Sequence, residues 1–196
     1  MNKVKLYFIS LCILLVCVCV FVQFLAFHEI RIETNGWIFN DPIFEILPRV
    51  NCSFAIFSLT YGSLILYIIL ERKKTLFLTK LNLSYALLLI VRMITLTLVP
   101  LKIPDSLIYL QDPFLNNLVY PGEIAGDLFF SGHTALIFIF FSISKRWIFA
   151  VLTLVMGVML MIQRVHYSID VIAAIPFVFA IVKVIEWSLY RLKVED

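Results

Sequence analysis

The sequence predicts an all-α protein: a six-helix transmembrane bundle, residues 1–196 forming a single membrane domain with both termini cytoplasmic. Three observations predict it. First, 62% of the 196 residues are hydrophobic and only 15% are charged, with a mean hydropathy of +1.01. One water-soluble core cannot hide that much apolar surface, so lipid must be the solvent. Second, the apolar residues collect into about six stretches near the roughly 20 residues that cross about 30 Å of hydrocarbon. Third, the basic residues gather in alternate connections, which is how short loops record membrane orientation.

The first stretch runs from about Leu6 to Phe27. It follows Lys3 and Lys5, but it is too long for a signal-peptide core, and Phe24 and Phe27 around Ala26 make a poor cleavage site, so a retained helix is expected. The second covers Phe54 to Leu70 and the third Leu81 to Val99. The fourth, from about His133 to Ile143, and the fifth, Ile148 to Ile162, are short and flanked by polar residues; the sixth lies between Ile169 and Leu189.

With the N-terminus inside, Lys3, Lys5, Arg72, Lys73, Lys74, Lys80, Lys145, Arg146, Arg191 and Lys193 are cytoplasmic, and only Arg31, Arg49, Lys102 and Arg164 face outward. The acids Glu29, Glu33, Asp41, Glu45, Asp105, Asp112, Glu123, Asp127 and Asp170 fall on the outer side. The net charge of +3 therefore reports topology and gives no reason to expect a nucleic-acid partner. Cys12, Cys17 and Cys19 read as apolar packers of the first span and Cys52 as an unpaired outward thiol, with neither a metal site nor a disulfide framework indicated.

Two outward segments carry the chemistry. In GDLFFSGHTALIFIFF, residues 126 to 141, Ser131 and Gly132 precede an apolar helix, so Ser131 can cap it while unpaired backbone N–H groups there attract an anion, phosphate above all. His133 then stands beside that anion, within reach of a proton transfer. In QRVHYSID, His166 and Asp170 are four apart and share one helix face. The carboxylate can hold one imidazole nitrogen and leave the other free as base or nucleophile. His28 reads instead as an interface residue.

Arg92 lies about seven residues, or about 10 Å, below the outer end of its helix. A guanidinium at that depth must find an anion, either Asp127 or Asp170 in an internal ion pair or two phosphate oxygens on its planar fork. Arg164 is a second phosphate candidate, or an arginine snorkelling at the interface. Asp127, Thr134 and Tyr167 stand beside these as supporting residues.

The segments RMITLTLVPLKIP, AGDLFFSGHT and HYSIDV resemble the sphingomyelin synthase branch of the type 2 phosphatidic acid phosphatase superfamily, over roughly Leu88 to Ala174. The resemblance implies a multi-pass membrane enzyme working at the extracytoplasmic or lumenal leaflet without cofactor or metal. By similarity His166 attacks phosphorus with Asp170 behind it, His133 protonates the departing lipid oxygen, and Arg92 steadies the phosphate. The phosphohistidine so formed would pass its headgroup from a phospholipid donor to a ceramide or diacylglycerol acceptor; in a lipid phosphatase, the alternative, water takes it. The chain departs from the synthases after HYSIDV, continuing as IAAIPFVFAIVKV with Pro176 and no arginine. A non-enzymatic lipid binder or transporter is the reading outside this class, against which stands the clustering of acids at one surface.

Overall fold

The apolar excess in the composition sits on the outside. Large hydrophobic side chains such as Phe8, Val16, Phe27, Ile65, Leu154, Ile172 and Phe179 are exposed along the helices, an arrangement that water would oppose and lipid accepts. The structure, a computed structural model, describes residues 3–112 and 126–193, and the side chains of all of these but 29–35. Glu123 lies outside the described residues, as do the side chains of Glu29, Arg31 and Glu33.

The described residues form α1 (Lys3–Asn35), α2 (Ile43–Ile46), α3 (Ser53–Glu71), α4 (Thr75–Leu98), α5 (Gly132–Ser144), α6 (Trp147–Ile162) and α7 (Ser168–Arg191). Four of them, α1, α3, α4 and α7, are long and apolar enough to cross a membrane, while α5 and α6 are shorter apolar helices. These apolar helices mark a membrane protein.

Several elements differ from the sequence expectation. Helix α1 continues past Phe27 to Asn35. Helix α4 starts at Thr75 rather than near Leu81, because Thr79, Lys80 and Asn82 are tolerated on a helix whose other faces bury Leu76, Leu81 and Leu88. The single turn α2 was not expected; Asp41 starts it, its carboxylate accepting the Ile43 N–H at 3.0 Å. Cys12 and Cys19 are exposed rather than packed. His28 is buried and stacks on Phe24, with ring centroids 5.4 Å apart.

Helix α5 stands in the middle, touching α3, α4, α6 and α7. Ala135, Ile137, Ile139 and Phe140 on it are fully buried, which is why its sequence is apolar almost all round. Helix α1 lies against α4; Phe21 and Leu25 pack on Leu89 and Leu96, and the Asn82 amide donates to the Ser10 hydroxyl at 3.1 Å. Leu6, Leu76 and Leu189 cluster, so the starts of α1 and α4 meet the end of α7 at one end of the bundle. There Glu71, almost fully buried, takes Lys74 at 2.9 Å and Arg146 at 2.8 Å, stitching the α3–α4 turn to the α5–α6 turn.

The opposite end is roofed by the connecting segments. Trp37 N–H donates to the Pro100 carbonyl at 2.8 Å and Lys102 N–H to the Trp37 carbonyl at 2.7 Å. The Gln163 amide, fully buried, donates to Ser53 Oγ at 2.7 Å and to the Ile108 carbonyl at 3.2 Å while accepting from Cys52 N–H at 2.8 Å.

Helix proximity makes one glycine indispensable and leaves another free. A Cβ on Gly157 would stand 2.6 Å from Val171 Cγ1, whereas one on Gly62 would meet nothing within 4 Å. Gly62→Ala should therefore stabilise by about 0.5–1 kcal/mol through helix propensity, and Gly157→Ala should lower the melting temperature of the detergent-solubilised protein. Equal shifts of one sign in the two variants would refute the contact of Val171 with Gly157.

Candidate active site

One backbone hydrogen bond joins the starts of α5 and α7. Ser131 N–H, at the start of α5, donates to the carbonyl of Asp170, in the first turn of α7, at 3.1 Å. The two histidine-bearing segments are thereby held side by side, although 33 residues separate His133 from His166 in the chain.

Ser131 is the N-cap of α5 and is fully buried. Its hydroxyl accepts from Thr134 N–H at 3.4 Å and from Thr134 Oγ1 at 3.0 Å. These bonds correct one expectation: not all N–H groups at this helix start remain unpaired. Ser131 gives its own to Asp170 and Thr134 gives its own to Ser131. Gly132 and His133 keep theirs without a partner among the described residues, so the anion-attracting part of the terminus is confined to these two.

Arg92 reaches this point from α4. Its guanidinium is buried; Nε donates to the Phe130 carbonyl at 2.9 Å and Nη2 to Asp127 Oδ1 at 2.6 Å. Of the two internal partners considered from sequence, Asp127 is the one in contact. Nη1 lies against Gly132, where an added Cβ would be 2.5 Å from it. Glycine therefore gives the guanidinium its close approach to the first residue of α5.

His166 is buried and precedes α7, one residue before its N-cap Tyr167, so it does not share a helix face with Asp170 as the spacing suggested; Asp170, in the first turn, reaches back to it. Its Nδ1 lies 3.4 Å from Asp170 Oδ2, which also accepts the Tyr167 N–H at 3.0 Å. Asp170 is fully buried, and its Oδ1 has no hydrogen-bond partner. The geometry ties Nδ1 to the carboxylate and leaves Nε2 without a partner among the described residues. His133 lies on the first turn of α5, next to Gly132 and hence to the Arg92 guanidinium, and its ring meets Phe57 of α3.

Two sequence candidates play other parts. Arg164, at the end of α6 in a left-handed backbone conformation (φ 63°), turns its guanidinium away from the cluster. Its Nη2 donates to the Phe44 carbonyl and, at 3.0 Å, to the Leu47 carbonyl, and it lies 4.3 Å from the Phe44 ring centroid. Nη2 is thus engaged by the carbonyls of the α2 region, while Nε is buried without a hydrogen-bond partner among the described residues. Tyr167 is packed between Phe39 and Phe44 and donates its hydroxyl to the Lys102 carbonyl at 3.0 Å; burial pushes its phenol above the usual tyrosine range, keeping it a neutral donor.

Sequence reasoning missed four contributors. Asp41 Oδ2 accepts Ser168 N–H at 2.5 Å, capping α7 from the roof, and Gln163 anchors that roof. Phe57 meets the His133 ring edge-on at 5.8 Å, and Tyr61 stacks on Phe57 at 6.0 Å while donating to Asp112 at 2.5 Å. The spacing of Phe57 and Tyr61, one helical turn, was the available signal, but it is indistinguishable from core packing before the partner helix is known. Among the described residues no group of three His, Cys, Asp or Glu is placed to hold a metal ion.

No family model matches the chain, and neither a curated protein nor a solved structure matches it.

The Arg92–Gly132 contact has a measurable signature. Gly132→Ala should lower the melting temperature in the parent chain but raise it in an Arg92→Ala background, where the helix-propensity gain of up to about 1 kcal/mol is unopposed. A shift of the same sign in both backgrounds would mean that the guanidinium does not lie against Gly132.

Proposed function

We propose that this protein is a membrane phosphotransferase that moves a phospho-headgroup between lipids through a covalent intermediate on His166. The observation that supports the reading most is the pairing of His166 Nδ1 with a fully buried Asp170 beside His133 and the Arg92 guanidinium. A carboxylate behind an imidazole fixes its tautomer and makes the other nitrogen the reactive one.

In the first half-reaction His166 Nε2 attacks the phosphorus of a phospholipid. The N–P bond forms as the bond from phosphorus to the diacylglycerol oxygen breaks, and His133 gives that oxygen its proton. Asp170 stabilises the charge that develops on the His166 ring. In the second half-reaction the hydroxyl of the acceptor lipid, ceramide or diacylglycerol, loses its proton to His133. Its oxygen then attacks phosphorus, and the N–P bond breaks to regenerate His166. Arg92 Nη1 and the N–H groups of Gly132 and His133 would hold the non-bridging oxygens, the electrostatic service that phosphoryl transfer demands most.

The motif resemblance to the sphingomyelin synthase branch supports the same roles for the same residues. The finer topology belongs with this reading: α5 and α6 complete six spans, both termini are cytoplasmic, and the site opens on the extracytoplasmic or lumenal side, as the distribution of basic residues requires.

Purified protein incubated with a headgroup-labelled choline or ethanolamine phospholipid and either ceramide or diacylglycerol should produce labelled acceptor lipid. His133→Ala, His166→Ala and Asp170→Asn should each lower the rate about 10²–10⁴-fold. An acid-labile label on the protein should appear in the parent chain and be absent from His166→Ala. Undiminished turnover in all three variants removes the enzyme reading; release of free phosphate from a phosphatidic acid, with no labelled acceptor, turns it into a phosphatase.

A further inference from the structure

The ion pair that holds Arg92 poses a problem for any phosphate that enters. Arg92 is the one arginine whose guanidinium bonds to the run before α5 among the described residues: Arg164 lies over the Phe44 ring with Nη2 on the carbonyls of Phe44 and Leu47, and Arg49 donates to the Leu107 carbonyl at 3.3 Å. Its side chain is 4% exposed, while that of Asp127 is 30% exposed, and the two are 2.6 Å apart. The arginine is therefore held in the interior, with the Phe130 carbonyl on Nε, and its carboxylate partner is the more exposed of the pair. A phosphate oxygen that takes Nη1 and the Gly132 and His133 N–H groups comes to rest close to a negative carboxylate. Asp170, whose carbonyl takes the Ser131 N–H, adds a further acid beside the start of α5, and among the described residues no second Lys or Arg is hydrogen-bonded to Asp127 or to the start of α5 to offset an extra negative charge.

We propose that Asp127 sets the charge state of the phosphate that the site accepts: by neutralising part of Arg92 it admits a singly charged phosphodiester and rejects a doubly charged phosphomonoester. A phosphomonoester carries about −1.5 to −2 near neutral pH, whereas a phosphodiester carries a single charge, and at short range in a poorly screened site the difference falls on Asp127. The proposal rests on the phosphotransfer reading of the site and assigns it a specificity-determining residue. The acid is then what turns a phosphate-binding cluster toward exchange between phosphodiester lipids and away from the hydrolysis of phosphomonoesters.

The test uses the full chain in detergent micelles, in the His166→Ala background so that nothing turns over. It measures displacement of a fluorescent short-chain phospholipid by dioctanoyl phosphatidic acid, a monoester, and by dioctanoyl phosphatidylmethanol, a diester with no headgroup cation. With Asp127 present the diester should compete about tenfold better than the monoester. Asp127→Asn, which keeps a hydrogen-bond acceptor for Arg92 and removes the charge, should improve the monoester until the two agree within about threefold, with the diester little changed. Asp127→Glu should restore the preference. An unchanged ratio in Asp127→Asn overturns the proposal. So does loss of both ligands together in a variant that still melts cooperatively, since Asp127 would then merely position Arg92. If neither lipid competes in the Asp127 chain and Arg92→Ala makes no difference, the phosphate site itself is wrong, and the proposal falls with it.

Discussion

A guanidinium buried among apolar helices must be answered by acceptors, and the architecture around the site follows from that requirement on Arg92. Leaving such a charge unpaired would cost several kcal/mol, far more than a single packing contact returns. The acceptors come from the run just before α5: the Phe130 carbonyl and the Asp127 carboxylate. Satisfying Arg92 therefore pins the start of α5 to α4 and leaves only a glycine's room at position 132. Once α5 starts there, its N-cap Ser131 has one N–H to spare, and the carbonyl of Asp170 takes it. The α7 start is then fixed as well, with Asp170 beneath His166.

The same reasoning explains why the reactive groups sit at helix starts. In an apolar bundle every backbone polar group inside a helix is already bonded, so ligand-directed N–H groups are available only in first turns. Three helix ends converge at this point: the end of α4 and the starts of α5 and α7. Tyr167, Gln163, Arg164 and Asp41 contribute by fixing those ends and the roof above them, which is why their hydrogen bonds run to backbone atoms of distant segments. They hold geometry, whereas the Gly132 and His133 N–H groups and His166 Nε2 keep donors or acceptors without a partner among the described residues.

Much of this was legible in the sequence because membrane chains write their helices as long apolar runs and their chemistry as the polar residues that interrupt them. His133, His166, Asp170 and Arg92 stood out for that reason; the His166–Asp170 pairing was also legible, but it arises because Asp170, in the first turn of α7, reaches back past the N-cap Tyr167 to a histidine that precedes the helix, not because the two share a helix face. What could not be read were choices between equivalent partners. Nothing local told Arg92 to prefer Asp127 over Asp170, and nothing marked Arg164 as a cap for α2, since that single turn has no periodic signal of its own. Helix ends were also misplaced where polar residues continue a helix, as Thr79, Lys80 and Asn82 do in α4. Phe57 and Tyr61 were invisible as site residues because an aromatic pair one turn apart is ordinary packing until the neighbouring helix places His133 beside it.

The shortness of α5 is the remaining clue, and it bears on depth. Thirteen residues extend about 20 Å, against about 36 Å for the 24 residues of α4. Helix α5 turns into α6 at the end where Glu71 ties Arg146 to Lys74, near the start of α4. Measured from that shared end, the start of α5 falls short of the far end of α4, and it is there that Arg92, six residues before the α4 terminus, meets it. The cluster therefore lies below the far end of α4 rather than level with it. On the phosphotransfer reading proposed above, that recess would suit a phosphate carried by a lipid better than one that must leave open water, and the short central helix would then favour lipid through its length.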